Sequence, residues 1–110
     1  MKAAVKKIRT KHQDFKAMAR HAEDAATLLR SMANSKRLMI LCSLAGGELS
    51  VSELNDRIDL SQSALSQHLA GLREMELVQT RREGQIIYYQ LADDKAVQII
   101  QVLKSIYCPD

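Results

Sequence analysis

Two helix caps in close succession constrain this chain more than any other feature. Ser50-Val51-Ser52-Glu53 reads as a capping box, in which the Ser50 hydroxyl takes an otherwise unpaired amide and Glu53 reaches back. The helix it opens is short and closes near Ile58. After Asp59-Leu60, Ser61 is placed to cap again, and Leu65, Leu69 and Leu72 then recur at helical spacing. A short helix, a tight turn and a longer helix, each with its own cap, describe a helix-turn-helix.

The pattern changes immediately afterwards. Leu77 to Arg82 and Gln85 to Leu91 are rich in β-branched and aromatic residues, with Glu83-Gly84 between them as a hairpin signal. This ribbon, with arginines near its tip, is a wing. Upstream, Met18, Ala22, Ala25, Leu29 and Met32 make one stripe along a first helix. Asn34 or Ser35 caps a second, in which Leu38, Leu41, Leu44 and Ala45 face inward before Gly46-Gly47. Asp93 caps a last helix carrying Ala96, Ile99, Ile100, Leu103, Ile106 and Tyr107, and Val97 and Val102 widen its apolar surface. The fold class is thus mainly α with a small β-hairpin, a winged helix-turn-helix with four helices before the hairpin and one after.

At 110 residues, one domain is expected. Residues 1–13 lack a periodic apolar pattern and read as a mobile basic arm, and 14–110 as the DNA-binding and dimerisation domain. So small a domain cannot bury a terminal helix that is apolar on more than one side. With the small-residue seam of the first helix, that surface points to a two-fold homodimer.

The net charge of +3 is unevenly placed. Lys2, Lys6, Lys7, Arg9 and Lys11 precede the first acid, Asp14, and Arg81-Arg82 form a second cluster. Such clusters suit a polyanion, because each neutralised phosphate releases counterions. No apolar stretch follows the N-terminal charges, so no secretory signal and no membrane partner are expected, and the setting is read as cytoplasmic. Thiols there are usually reduced, which makes Cys42 and Cys108 buried thiols, metal ligands or a redox switch rather than a structural staple.

The partner is expected to be double-stranded operator DNA. Gln62, Ser63, Ser66 and Gln67 fall opposite the leucine face of the longer helix, and short amides and hydroxyls at a helix start can bond base edges or phosphates. Arg81, Arg82 and Gln85 in the wing are placed for backbone or minor-groove contact. His68, at the edge of the leucine face, is read as packed or phosphate-bonded rather than as a metal ligand.

These residues also carry a resemblance. Glu48 to Leu54, Leu60 to Leu69, Leu72-Arg73 and the ribbon from Val78 to Tyr89 resemble the ArsR/SmtB repressors, over roughly residues 20–108. The resemblance implies a homodimeric winged-helix repressor, not an enzyme, that leaves its operator when an inducer binds. Members responding to arsenic or cadmium carry cysteines where Ser50 and Ser52 stand here, and hydroxyls do not replace thiolates toward soft metals. Zinc-type members place Asp and His ligands along the last helix; Asp93 remains here without a histidine. No metal and no cofactor are therefore expected.

Leu41-Cys42 and Tyr107-Cys108 instead resemble the persulfide- and redox-sensing branch of that family. This implies that a persulfide, polysulfide or oxidant links the two cysteines and weakens DNA binding. A direct disulfide needs Cα atoms within about 7 Å, whereas a longer sulfur bridge spans more. Three other readings stay open. A metal held by Cys42, Cys108 and either His12 or His21 is the first. A thiol-disulfide enzyme is the second, although the chain has neither a Cys-x-x-Cys motif nor a βαβ pattern. The third is a cysteine-independent regulator, such as an anti-silencer that displaces another DNA-binding protein.

Overall fold

A computed structural model describes residues 15–92 and 94–108. They form α1 (Phe15–Met32), α2 (Ser35–Leu44), β1 (Leu49–Ser50), α3 (Val51–Arg57), α4 (Gln62–Glu74), β2 (Val78–Glu83), β3 (Ile86–Leu91) and α5 (Asp94–Tyr107). The order is that of a winged helix-turn-helix. The chain divides into two units, Met1–Arg30 and Ser31–Asp110. The basic arm over 1–13 and the Asp93 cap lie outside the described residues. Among the described residues, no helix is long and apolar enough to cross a membrane.

Most local signals in the sequence act as physical chemistry dictates. Asn34 is the cap of α2, its Oδ1 accepting from the amides of Lys36 at 2.9 Å and Arg37 at 3.1 Å. The capping box of α3 closes both ways: the Ser50 amide donates to Glu53 Oε1 at 2.9 Å, and the Glu53 amide donates to Ser50 Oγ at 3.1 Å. Ser61 Oγ accepts from the Ala64 amide at 3.1 Å and opens α4. Between the two helices, the Asn55 side chain donates to the Leu60 carbonyl at 2.9 Å and fixes the turn.

Leu54, Ile58, Leu65, Leu69 and Leu72 are fully buried and form the helix-turn-helix core, with Ile40 and Leu41 from α2 and Ile100 from α5 also buried. Each such side chain contributes about 1.5–3 kcal/mol by leaving water.

Several expectations need correction. In α2 the inward face is Ile40, Leu41 and Leu44; Ala45 is exposed, because the helix stops at Leu44 and Ala45 serves as its C-cap. The stripe of α1 is a separate matter: Met32 is buried and Met18 and Leu29 are exposed, as a seam toward a second chain would leave them. Ser50, read as a cap, also forms a short strand with Leu49. It pairs antiparallel with β3 (Leu49↔Tyr89, Ser50↔Tyr88), so the sheet order is β1-β3-β2.

The hairpin turn is Gly84-Gln85 rather than Glu83-Gly84. Gly84 has φ +63 at the first turn position, as a type II′ turn requires, and this leaves Glu83 paired with Ile86. Leu77 is not the start of a strand but the end of a helix stop. Its amide donates to the Leu72 carbonyl at 2.9 Å, and the Glu76 amide to the Arg73 carbonyl at 3.0 Å. This is a Schellman closure, with Glu76 at φ +61 where glycine usually stands.

Candidate functional site

The caps and the leucine core fix which way α4 faces. With Leu65, Leu69 and Leu72 buried, Gln62, Ser63, Ser66 and Gln67 are all exposed. Ser63 Oγ lies 3.5 Å from Ser61 Oγ, an ordinary contact beside the cap. An open cleft of about 750 Å³ runs beside this face. Gln62 and Ser66 line it from α4, Gln85 from the wing, and Ser52, Asn55 and Asp56 from α3. Three expected residues from two elements therefore meet in one groove, while Ser63, Gln67, His68, Arg81 and Arg82 stand outside its lining. Asp56 was not singled out by sequence. The signal was there, since Ser52, Asn55 and Asp56 share the spacing that puts side chains on one helical face.

His68 is half-buried, and its Nδ1 accepts from Arg37 Nε at 3.3 Å. An accepting Nδ1 puts the proton of a neutral imidazole on Nε2. Among the described residues no buried side-chain polar atom lacks a partner, and Nε2 has none, so Nε2 meets solvent as a donor. That arrangement suits a phosphate oxygen. Arg37 also donates through Nη1 to the Ser31 carbonyl at 3.1 Å. Its guanidinium lies over Gly71, where an added Cβ would come within 2.7 Å of Nη2. Neither Arg37 nor Gly71 was picked out by the sequence, because the close approach joins residues far apart in the chain.

The two wing arginines differ. Arg82 is exposed and makes no ion pair among the described residues. Arg81 is engaged on every side. Its Nε and Nη2 donate to the two oxygens of Glu48 at 3.1 and 2.5 Å, and Nη1 donates to Glu83 at 2.7 Å. Its Cζ sits 4.6 Å from the centre of the Tyr88 ring. The hydrogen bond from Arg81 holds the Glu48 carboxyl below its ordinary value, and both carboxylates raise Arg81 above its own.

Both cysteines are free thiols. Cys42 is half-buried in α2; Cys108 is exposed just past α5, its amide donating to the Lys104 carbonyl at 2.8 Å. Burial pushes the Cys42 thiol up, the Lys104 ammonium pulls it back down, and Cys108 adds an upward push. The end of α5 therefore lies within electrostatic reach of Cys42. Among the described residues, no group of three or more His, Cys, Asp or Glu side chains is arranged to hold a metal ion.

Residues 34–80 match the family model described as bacterial regulatory protein, arsR family. The chain is 50% identical over 91 residues to the transcriptional activator HlyU of Vibrio cholerae, covering 83% of this chain and 84% of that protein. It is 48% identical over 92 residues to the biofilm growth-associated repressor of Agrobacterium fabrum, covering 84% and 79%. Reduced HlyU from Vibrio cholerae aligns in structure with a TM-score of 0.81 at 48% identity, over 84% of this chain and 98% of that one. The transcriptional repressor BigR from Xylella fastidiosa gives 0.79 at 40% identity, over 86% and 97%.

Proposed function

This chain belongs to the arsR family of DNA-binding bacterial regulators, and on that footing we propose that it is a homodimeric repressor switched through its two thiols. Gln62, Ser63, Ser66 and Gln67 meet the major groove, Arg82 and Gln85 the backbone or minor groove beside it, and His68 Nε2 a phosphate. Support for the dimer comes from apolar side chains left on the surface. Phe15 and Leu29 on α1, and Val102, Ile106 and Tyr107 on α5, are all exposed in the single chain. Two-fold pairing would set two recognition helices about 34–36 Å apart, one turn of duplex.

The observation that carries the switch is that α5 packs against α2, with its Cys108–Lys104 end within electrostatic reach of Cys42. Cys108, being exposed, meets the inducer first, while burial pushes the Cys42 thiol up. The Cys108 thiolate attacks the outer sulfur of a persulfide RSSH, giving Cys108–S–SH and releasing the thiol RSH. Cys42 then attacks the Cys108 sulfur; the S–S bond to the terminal sulfur breaks, and H₂S leaves with the Cys42 proton. The sum is two thiols plus RSSH giving one disulfide, RSH and H₂S, with the persulfide as oxidant. A further sulfur atom carried in by a second persulfide lengthens the bridge. Either link ties the end of α5 to α2, and a changed angle between them moves the recognition helices off register.

The test is fluorescence anisotropy on promoter DNA before and after an organic persulfide, with intact-mass analysis of the same samples. Loss of affinity together with an intramolecular Cys42–Cys108 link is the expected result, and Cys42→Ser or Cys108→Ser should abolish the response. Alkylation should reach Cys108 before Cys42, and the rise of the Cys42 rate with pH should extend to higher pH than for an ordinary thiol because its thiol is pushed up. Undiminished binding by the linked protein would remove the switch and leave the regulator. The activator named among the relatives supports a second reading, in which occupancy of DNA displaces a silencing protein and cysteine substitutions change nothing.

A further inference from the structure

The wing carries an arginine whose contacts turn inward, across the sheet. Arg81 on β2 faces Tyr88 on β3, and Tyr88 in turn faces Ser50 on β1, so one row of residues crosses all three strands. The guanidinium lies against the Tyr88 ring and reaches beyond it to Glu48, the residue that precedes β1, with both carboxylate oxygens engaged. Its third nitrogen is taken by Glu83 near the hairpin tip. Ser50, at the far end of the row, caps α3 and joins its capping box. A single side chain thus fastens the outer strand of the wing to the strand that starts the helix-turn-helix. A lone exposed ion pair does little, but a bidentate fork within a network of charges is the arrangement that does hold geometry.

We propose that Glu48, acting through Arg81, is a positioning residue that sets the wing against the helix-turn-helix and so governs discrimination between DNA sequences. The proposal rests on the DNA-binding reading above. It gives the two arginines different tasks: Arg82 offers its charge to phosphate, and Arg81 aims the strand that carries Arg82. It also predicts a sign that charge alone would reverse. Removing a carboxylate near DNA ordinarily tightens binding to every duplex, since one repulsive charge is lost. If Glu48 positions the wing, its removal weakens binding to the preferred duplex while binding to other sequences holds or tightens.

The experiment uses the full chain and two probes, a duplex that the wild-type protein selects from a random-sequence pool and a scrambled duplex of the same composition. Anisotropy titrations compare wild type, Glu48→Gln and Arg81→Lys, with thermal melts to confirm that each variant folds. Arg81→Lys keeps the positive charge and loses the fork. Both variants should lower the ratio of selected to scrambled affinity about three- to fivefold, the scale of an engaged ion-pair network. Amide hydrogen exchange in β2 should quicken in both. Retention of the wild-type ratio by either variant, or equal tightening on both probes by Glu48→Gln, overturns the proposal. Failure of the wild-type protein to distinguish the two probes overturns the DNA-reading assignment instead, so the two failures are separable.

Discussion

The outward face of α4 is neutral and uncommitted, whereas the wing is charged and its first arginine is fully engaged. Gln62, Ser66 and Gln67 are exposed and make no side-chain hydrogen bond among the described residues, so their donors and acceptors stay available to a base edge. Arg81, by contrast, spends its donors on Glu48 and Glu83 before any DNA arrives. The difference separates two tasks. Groups that discriminate must exchange water for one particular partner, and groups that orient must already be held. Under the proposed function, reading lies on the helix and geometry in the sheet.

The sharpest way to break the comparison is from beneath. Leu69→Ala empties a fully buried position under α4 and should cost about 2–5 kcal/mol by thermal or urea unfolding, removing helix face and wing together. A smaller loss would mean that α4 is held from elsewhere. Gln67→Ala, on the opposite side of the same helix, should leave stability unchanged and instead relax base preference. The expected change is about 1–3 kcal/mol at one operator position if the amide makes a bidentate contact. A uniform loss over all operator variants would assign Gln67 to the backbone.

Salt titration then divides the wing. Arg82→Ala should reduce the slope of log K against log salt by about one, the yield of one phosphate contact. Arg81→Ala should change the slope less and the sequence ratio more; equal slopes for the two would erase the distinction. The smallest effect expected is at the joint between the regions. Glu76→Gly relieves a left-handed residue at the end of α4 and should raise stability by roughly 1 kcal/mol, with DNA binding unchanged. A loss of affinity would show that this stop tunes the angle between helix and wing.

How much of this was legible in advance follows from the range of the forces involved. Caps act over three residues, so Ser50 with Glu53 and Ser61 could be read directly, and the cap of α2 narrowed to Asn34 or Ser35, while the leucines of α4 declared its orientation by period. The outward residues followed as the complement of that face. What could not be read needs the third dimension. Arg37 meets His68 and Gly71 across two helices. Glu48 meets Arg81 only because a strand of two residues, too short for any periodic signal, pairs beside β3. Met18 and Leu29 stay exposed on the α1 seam. A helical stripe reports that a surface is apolar, not that this chain alone covers it. The proposed link of Cys42 to Cys108 rests on resemblance, since no spacing rule joins residues on α2 and beyond α5.

The contact over Gly71 carries a consequence for how such a chain can change. A glycine inside a helix costs about 0.5–1 kcal/mol relative to alanine, so substitution there should be favoured by default. The guanidinium of Arg37 occupies the space that the new methyl group would need. An alanine at position 71 would therefore push the guanidinium aside, setting the gain in helix propensity against the bonds Arg37 makes to His68 and the Ser31 carbonyl. The two sites, 34 residues apart in sequence (71 − 37), are thus coupled, and what position 71 gains depends on what stands at position 37.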